Sequence, residues 1–392
     1  MKYPYARPEI TEYDRKLVLK VLHTTDLTQG KYLKTFEKEL EKKFKCKHVV
    51  VCNSGTAALH IVYSYLGLNK SNSLLTTPLT FVATANAAVM NQAKVFFSDV
   101  NRYTGLIDAK EIEKVVKKAK GKVKVISVVH LGGRLCQMAE IKNIADKYNC
   151  HLVEDACHAI GASYTFKNQV LSPVGSCKYS IATTFSFHAI KHVAMGEGGC
   201  IATNSKDLAN FARNFISHGI NRDINKFIYK PKEKSLWYYE MVNLGYNYRV
   251  CEMSCALGLG QLKRLKKSIK KRIVLVKLYN KYFKNIDGIV TPELPSNLEN
   301  HAWHLYSLLI DFKKLKISRA LLMRKLFDLG IGTQVHYIPV NTQPFYRKLG
   351  NNQLKNSTDY YQRTLSLPLY SDLNADGVKF VVEKFLSIIK NQ

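Results

Sequence analysis

Four short runs of this sequence carry side chains able to do chemistry, and each lies at the end of an apolar stretch. Asn53-Ser54-Gly55-Thr56-Ala57-Ala58 follows His48–Cys52. Its glycine permits close backbone approach, and the free N–H groups and hydroxyl of a helix start form a phosphate cradle. Glu154-Asp155-Ala156-Cys157-His158-Ala159 follows His151–Val153. A carboxylate leaving a buried strand needs a partner, and a protonated pyridine nitrogen is a suitable one, because the ion pair keeps the ring able to accept electrons. Thr184-Phe185-Ser186-Phe187-His188-Ala189-Ile190-Lys191 offers a hydroxyl for phosphate and an amine for a Schiff base. That amine must have its pKa lowered before it can attack an aldehyde or shuttle protons. Gly196-Glu197-Gly198-Gly199 then gives a tight backbone passage near the lysine.

Each run has a plainer reading. Ser-Gly-Thr can cap a helix with no ligand, Asp155 can cap the helix that follows, and a lysine in so basic a chain is ordinarily a surface lysine. The glycine string lacks the spacing of a dinucleotide fingerprint or P-loop. What lifts the set is its order: cradle, acidic partner, then hydroxyl and amine, all at strand ends, where α/β sheets bind ligands.

Those ends imply a scaffold. Thr11 caps a helix carrying Leu17, Val18, Val21 and Leu22, with Asp14 at the capping-box position. A glycine-marked loop, Leu27-Thr28-Gln29-Gly30, leads to an amphipathic helix through Phe36, Leu40 and Phe44. Strand-like runs follow at His48–Cys52, Leu74–Thr77, Lys94–Phe97, Val123–Val129, His151–Glu154, Ile181–Phe187 and Cys200–Thr203, separated by helical stretches or turns. This alternation predicts an α/β fold, a mostly parallel central sheet with helices on both faces. From about Val250 the texture becomes a long basic helix (Glu252 to Asn285), strands Tyr306–Ile310 and Thr333–Tyr337, and helices Arg319–Leu329 and Asp376–Lys390. A large domain over 1–250 and a smaller C-terminal α+β domain over 251–392 are expected.

Composition narrows the class. The 392 residues are 46% hydrophobic and 23% charged, the balance of a soluble globular protein. With no run of eighteen apolar residues and no signal-peptide core at the start, no membrane partner is expected and the location expected is cytoplasmic. The nine cysteines, an odd number without CxxC spacing, read as reduced thiols, and no metal site is expected. A net charge of +29 raises encounter rates with anions, phosphorylated metabolites among them. Its lysines are nonetheless spread along helices such as Glu111 to Lys120, as on an ordinary solvated surface. No helix-turn-helix extension or interleaving of aromatic with basic residues points to nucleic acid.

The chain resembles the DegT/StrS family of sugar aminotransferases, which have the aspartate-aminotransferase-like fold (fold type I) of pyridoxal 5'-phosphate (PLP) enzymes. The likeness runs through Leu27–Gly30, Asn53–Leu59, Thr77–Asn86, Glu154–Ala159, Phe185–Lys191, Gly196–Gly199, Gly245–Arg249 and Val335–Pro339. It implies that Lys191 forms the Schiff base and that Asp155 pairs with the pyridine nitrogen. Phe81 would lie against the ring, while Gly55, Thr56 and Ser186 would hold the phosphate. His158 stands where many members carry Gln, near the phenolic oxygen, and a neutral His can donate the same hydrogen bond. Asn247 would reach the cofactor phosphate of a neighbouring subunit, which implies a homodimer. Thr28, Arg249 and Tyr337 would face the substrate, although Tyr337 and His336 equally suit a packed strand end. The His form looks most like the branch of pseudaminic acid synthesis that aminates C4 of a UDP-linked 4-keto-6-deoxy-N-acetylhexosamine, with glutamate as donor. Another nucleotide-linked keto sugar, aminated at C3 or with the other C4 configuration, is the alternative. Sugar dehydratases of the family carry His in place of the lysine, so Lys191 argues against that activity.

Overall fold

The computed structural model describes residues 1–166, 169–229, 236–350 and 354–390. The chain opens with α1 (Glu12–Leu22), whose capping box is complete: Thr11 Oγ1 accepts from Asp14 N–H and Asp14 Oδ2 accepts from Thr11 N–H. Helix α2 (Lys31–Phe44) buries Phe36, Leu40 and Phe44, one face at four-residue spacing. Strand β1 (His48–Cys52), α3 (Gly55–Tyr65), β2 (Ser73–Thr76), α4 (Ala83–Met90), β3 (Lys94–Phe97), α5 (Ala109–Lys118), β4 (Val123–Val129), α6 (Met138–Lys147) and β5 (His151–Asp155) then alternate. A hairpin of β6 (Ser163–Phe166) and β7 (Gln169–Pro173) precedes β8 (Ala182–Ser186), β9 (Gly199–Thr203) and α7 (Lys206–Phe215).

The central sheet has the order β1-β9-β8-β5-β4-β2-β3. Every neighbouring pair is parallel except the two involving β9, which runs against β1 and β8. Period-two alternation sorts the side chains into two layers. Val49, Val51, Leu75 and Leu152 join the layer with α2, α5, α6 and the start of the long helix α8 (Glu252–Phe283). Val50, Cys52, Leu74 and Val153 join the layer with α3, α4 and α7. Helices cover both faces, as the alternation of elements predicts.

Helix α8 has 32 residues, about 48 Å at the standard rise. Its second half, from Leu275 to Phe283, enters a third core with the antiparallel sheet β10 (Ile289–Val290), β11 (Tyr306–Ile310) and β12 (Thr364–Leu367) and with helices α9 (Arg319–Asp328) and α10 (Ala375–Lys390). Thr333–Tyr337 is not a strand. Gln334 exchanges both backbone hydrogen bonds with Ser366 at a single isolated bridge, and the chain then leaves the sheet edge. The apolar residues of that segment serve a turn into the central site, which periodicity cannot distinguish from a strand.

Two contacts made by α8 fix the N-terminal elements. Asp14 is fully buried and receives Arg264 Nη1 and Nη2 at 2.9 and 2.6 Å. A Cβ at Gly260 would stand 2.1 Å from Asp14 Oδ1, so only glycine admits the carboxylate there. Glu252, also buried, accepts from the N–H groups of Gly30, Tyr32 and Leu33 at 2.9, 2.7 and 3.0 Å and thereby caps α2.

Burial opposes the charge on Asp14, but the hydrogen bonds from Arg264 and Thr11 outweigh it and hold the carboxyl below its usual 3.8. A depressed carboxylate contributes stability that is present above the unfolded value and lost as pH falls through the folded one. Asp14→Asn is therefore expected to cost about 2 kcal/mol at neutral pH. The gap from wild type in urea midpoints should close as the pH drops below 3.8.

Candidate active site

The carboxyl ends of β5 and β8 lie side by side, with Asp155 paired to Thr184, and the chemistry-bearing residues gather there. Asp155, the last residue of β5, is 5% exposed. Thr84 Oγ1 donates to its Oδ2 at 2.7 Å and Cys157 N–H to its Oδ1 at 3.2 Å. An ionised carboxylate only accepts, so Thr84 spends its proton here and the Thr80 hydroxyl, 2.7 Å away, must donate to Thr84. Two of roughly four acceptor positions on the carboxylate are filled. The rest suit one further cationic donor.

Beside it, Gly55 opens α3. Ser54 caps that helix by accepting from Ala57 N–H at 3.1 Å, so the N–H groups of Gly55 and Thr56 have no acceptor within the helix. A Cβ on Gly55 would meet Ser186 Cβ at 3.0 Å and Cys157 Sγ at 3.2 Å, which shows how closely the cradle, β8 and the turn after β5 converge. Gly199 presses on the cradle from below, where a Cβ would lie 2.4 Å from the Ser54 carbonyl carbon and oxygen. Ser186 Oγ accepts from His188 N–H at 3.3 Å and keeps its own proton to donate.

Lys191 lies in the loop between β8 and β9, which Phe187 N–H closes by donating to Gly198 O at 2.7 Å. Helix α2 supports the loop and strand from behind: Phe36 meets Phe187 edge-on at 5.4 Å and Phe44 stacks on Phe185 at 4.5 Å. Burial pushes the Lys191 ammonium below its ordinary pKa, partly opposed by Cys157 and Asp155. A neutral amine beside a fixed carboxylate can attack a carbonyl carbon and carry a proton.

His158 and Tyr337 complete the wall, with His158 Nε2 3.2 Å from Tyr337 Oη. The Phe81 ring, 6.4 Å from that of Tyr337, is 60% exposed and leaves a face free for a planar ligand. Asp155, Lys191, Gly55, Thr56, Ser186, His158, Phe81 and Tyr337 thus belong to one region. Thr28, Asn247 and Arg249 meet around Ser217 instead. Asn247 pairs with Ser217 in an isolated bridge, Arg249 Nη1 donates to Ser217 Oγ at 3.2 Å, and Gln29, next to the exposed Thr28, reaches the same oxygen at 3.5 Å. Asn53 Nδ2 reaches Asn247 O at 3.5 Å and joins this group to the cradle. Among the described residues no cluster of His, Cys, Asp or Glu is arranged to hold a metal.

Sequence reading overlooks several supports. Thr84 lies within a quoted motif, but nothing in one sequence shows that its hydroxyl crosses to Asp155. Glu154, fully buried on the other side of β5, accepts from Ser180 Oγ at 2.5 Å, from the Tyr164 hydroxyl and from His130 Nε2 at 2.9 Å. Cys136 N–H fills His130 Nδ1, which leaves the ring proton on Nε2 for Glu154. His130 N–H in turn holds the Asp155 carbonyl at 3.1 Å.

Gly199→Ala is expected to lower stability by about 2 kcal/mol through overpacking. Because it displaces the Ser54–Gly55 peptide, it should also weaken phosphate-ester binding at the cradle. A urea series and a binding titration on the same variant would check both effects.

Comparison with known proteins agrees with this geometry. The family model described as the DegT/DnrJ/EryC1/StrS aminotransferase family matches residues 8–386. A Campylobacter jejuni (strain 81-176) protein named UDP-4-amino-4,6-dideoxy-N-acetyl-beta-L-altrosamine transaminase is 38% identical over 387 residues, 98% of this chain and 97% of its own. The spore coat polysaccharide biosynthesis protein SpsC of Bacillus subtilis is 36% identical, over 99% and 97% of the two chains. Among solved structures, Helicobacter pylori PseC, an aminotransferase involved in the biosynthesis of pseudoaminic acid, superposes with a TM-score of 0.90 at 30% identity over the whole of both chains. A lysine amine and a fixed carboxylate at adjoining strand ends, on a fold shared from end to end with these proteins, make this chain a member of the DegT/DnrJ/EryC1/StrS aminotransferase family.

Proposed function

We propose that this aminotransferase moves an amino group from glutamate to the C4 keto group of a UDP-linked 4-keto-6-deoxy-N-acetylhexosamine, using pyridoxal 5'-phosphate held between Asp155 and Lys191. The observation that carries the cofactor reading is the Gly55–Ser186–Cys157 convergence, a cradle with unpaired helix N–H groups that a single Cβ would fill. The residues around it fit the group: a buried carboxylate with acceptor positions to spare, a lysine whose positive charge burial disfavours, and a bare aromatic face on Phe81. The substrate reading rests on relatives of that name at 31 to 38% identity across nearly the whole chain.

When bound, the cofactor supplies an aldehyde for the incoming amine and a ring that takes up an electron pair. Asp155, fixed by Thr84 and Cys157, holds a proton on the ring nitrogen. The first N–H groups of α3, with Thr56 and Ser186, bind the phosphate. Lys191 Nζ removes the proton from the amino-bearing carbon of glutamate and, in the second half of the cycle, delivers one to C4 of the sugar. Phe81 and Tyr337 cover the ring and exclude water. The surplus of basic residues attracts the UDP pyrophosphate, and Thr28 and Arg249 are its candidate contacts.

A homodimer belongs to the same proposal. The segment before Asn247 exposes Ile228, Tyr229, Trp237, Met241 and Leu244, more apolar surface than a monomer ordinarily leaves to water. A second copy covering it would let Asn247 approach that copy's phosphate cradle.

Borohydride reduction of the cofactor-loaded protein is expected to link the cofactor covalently to the Lys191 peptide, read by mass spectrometry. Lys191→Ala should lose at least ~10³-fold in turnover with glutamate and a UDP-4-keto sugar. Full multiple turnover by that variant would end the assignment, and NMR of the wild-type product fixes which sugar is aminated and with what configuration. For the dimer, Asn247→Ala should bind the cofactor about 10-fold more weakly, the loss of one hydrogen bond to a charged group. Sedimentation of the wild type as a monomer at full cofactor occupancy would refute the shared site.

A further inference from the structure

The wall made by His158 and Tyr337 contains more information than its contacts with a ligand. His158 is locked on three sides. Gly132 N–H donates to its Nδ1 at 3.2 Å, the ring of His304 packs against it with centroids 4.4 Å apart, and the Gly133 backbone lies so close that a Cβ there would stand 2.7 Å from His158 O. His304 is itself tied to the same turn, its N–H donating to Gly132 O at 2.9 Å. The imidazole can neither flip nor slide.

With Nδ1 occupied as an acceptor, the proton of a neutral imidazole must be on Nε2. Burial keeps the ring neutral, and the facing cation Lys191 with the neighbouring His336 and His192 acts in the same direction. The Nε2 proton has Tyr337 Oη 3.2 Å away. A phenol that accepts there must send its own single proton elsewhere. Burial, with Tyr5, Asp155 and Cys157 around it, keeps Tyr337 in the protonated form. The outward proton therefore belongs to a neutral phenol beside the open face of Phe81.

We propose that Tyr337, polarised and aimed by His158, is the donor that hydrogen-bonds the phenolic oxygen of the cofactor, and that His158 acts behind it as a positioning residue. The resemblance assigns that bond to His158 itself, and proton accounting transfers it to Tyr337. The inference rests on the pyridoxal phosphate reading of the site. A glutamine at 158 could serve the same relay, its amide oxygen accepting from Gly132 and its amide nitrogen donating to Tyr337, whereas a phenylalanine could do neither.

The test uses the full chain, loaded with pyridoxal phosphate, as wild type, Tyr337→Phe, His158→Gln, His158→Phe and the double variant Tyr337→Phe/His158→Phe. Visible absorbance is followed against pH, and cofactor affinity is measured by dialysis. A donor at the phenolic oxygen competes for the charge that holds the neighbouring proton at the Lys191 nitrogen. Tyr337→Phe should therefore raise the midpoint of the chromophore's titration by about one pH unit. His158→Phe should reproduce that shift, His158→Gln should titrate like wild type, and the double variant should shift no further than either single change. An unshifted midpoint in Tyr337→Phe, or a shift in His158→Phe alone, would overturn the relay while leaving the cofactor assignment standing. Failure of the wild type to form any visible chromophore would instead overturn the cofactor assignment.

Discussion

A carboxylate cannot be left bare at the end of a strand buried on both faces, and the neighbourhood of Asp155 is organised by that requirement. Leaving such a group unpaired costs several kcal/mol. The chain meets the cost only in part, with one hydroxyl from α4 and one backbone N–H from the turn. The remaining acceptor capacity points at the Lys191 loop and the cradle. On the other side of the same strand Glu154 is fully satisfied by side chains from β4, the hairpin and the stretch before β8. Two adjacent carboxylates thus play opposite parts: one is closed into the scaffold and the other stays open to a ligand.

The parts facing Asp155 come from distant stretches of chain, and close backbone packing more than side-chain contact brings them together. Gly55 and Gly199 let α3 and β9 approach at distances no side chain would tolerate. The phenyl rings of α2 then press β8 and the start of the lysine loop into place. Helix α2 depends in turn on Glu252, at the first turn of α8, for three of its N-terminal N–H groups. A helix remote from the chemistry therefore sets where the chemical groups stand.

Much of this was legible in the residues. Strands β1, β3 and β4 have the bounds their β-branched runs indicate, and the Thr11–Asp14 capping box is present, because these signals are local. The grouping of Gly55, Asp155, Ser186 and Lys191 was legible because strand ends in an α/β sheet share one edge. The reversal of β9 was not, since direction within a sheet leaves no mark on composition. Nor was the Glu252 cap, a contact across more than two hundred positions, or the Thr84 hydroxyl, whose partner is 71 residues away. Thr333–Tyr337 misleads for the opposite reason: its apolar residues line a turn and imitate a half-buried strand. The Lys191 amine could be named from its company, but the burial that disfavours its charge exists only once the layers have closed.

Ser186 and Gly199 are direct partners across β8 and β9. The loop bearing Lys191 therefore leaves the sheet and returns to it at a single rung. Both feet of the loop are clamped, one against Gly55 and the other against the Ser54 peptide. Extra residues inserted near its crest would bulge outward and leave the register of the strands unaltered, at a closure cost that grows only slowly with length. Sequence drift in this segment is thus tolerated at the crest and forbidden at the two feet, so loop length is a poor guide to kinship among such chains and the identity of the anchoring pair a good one.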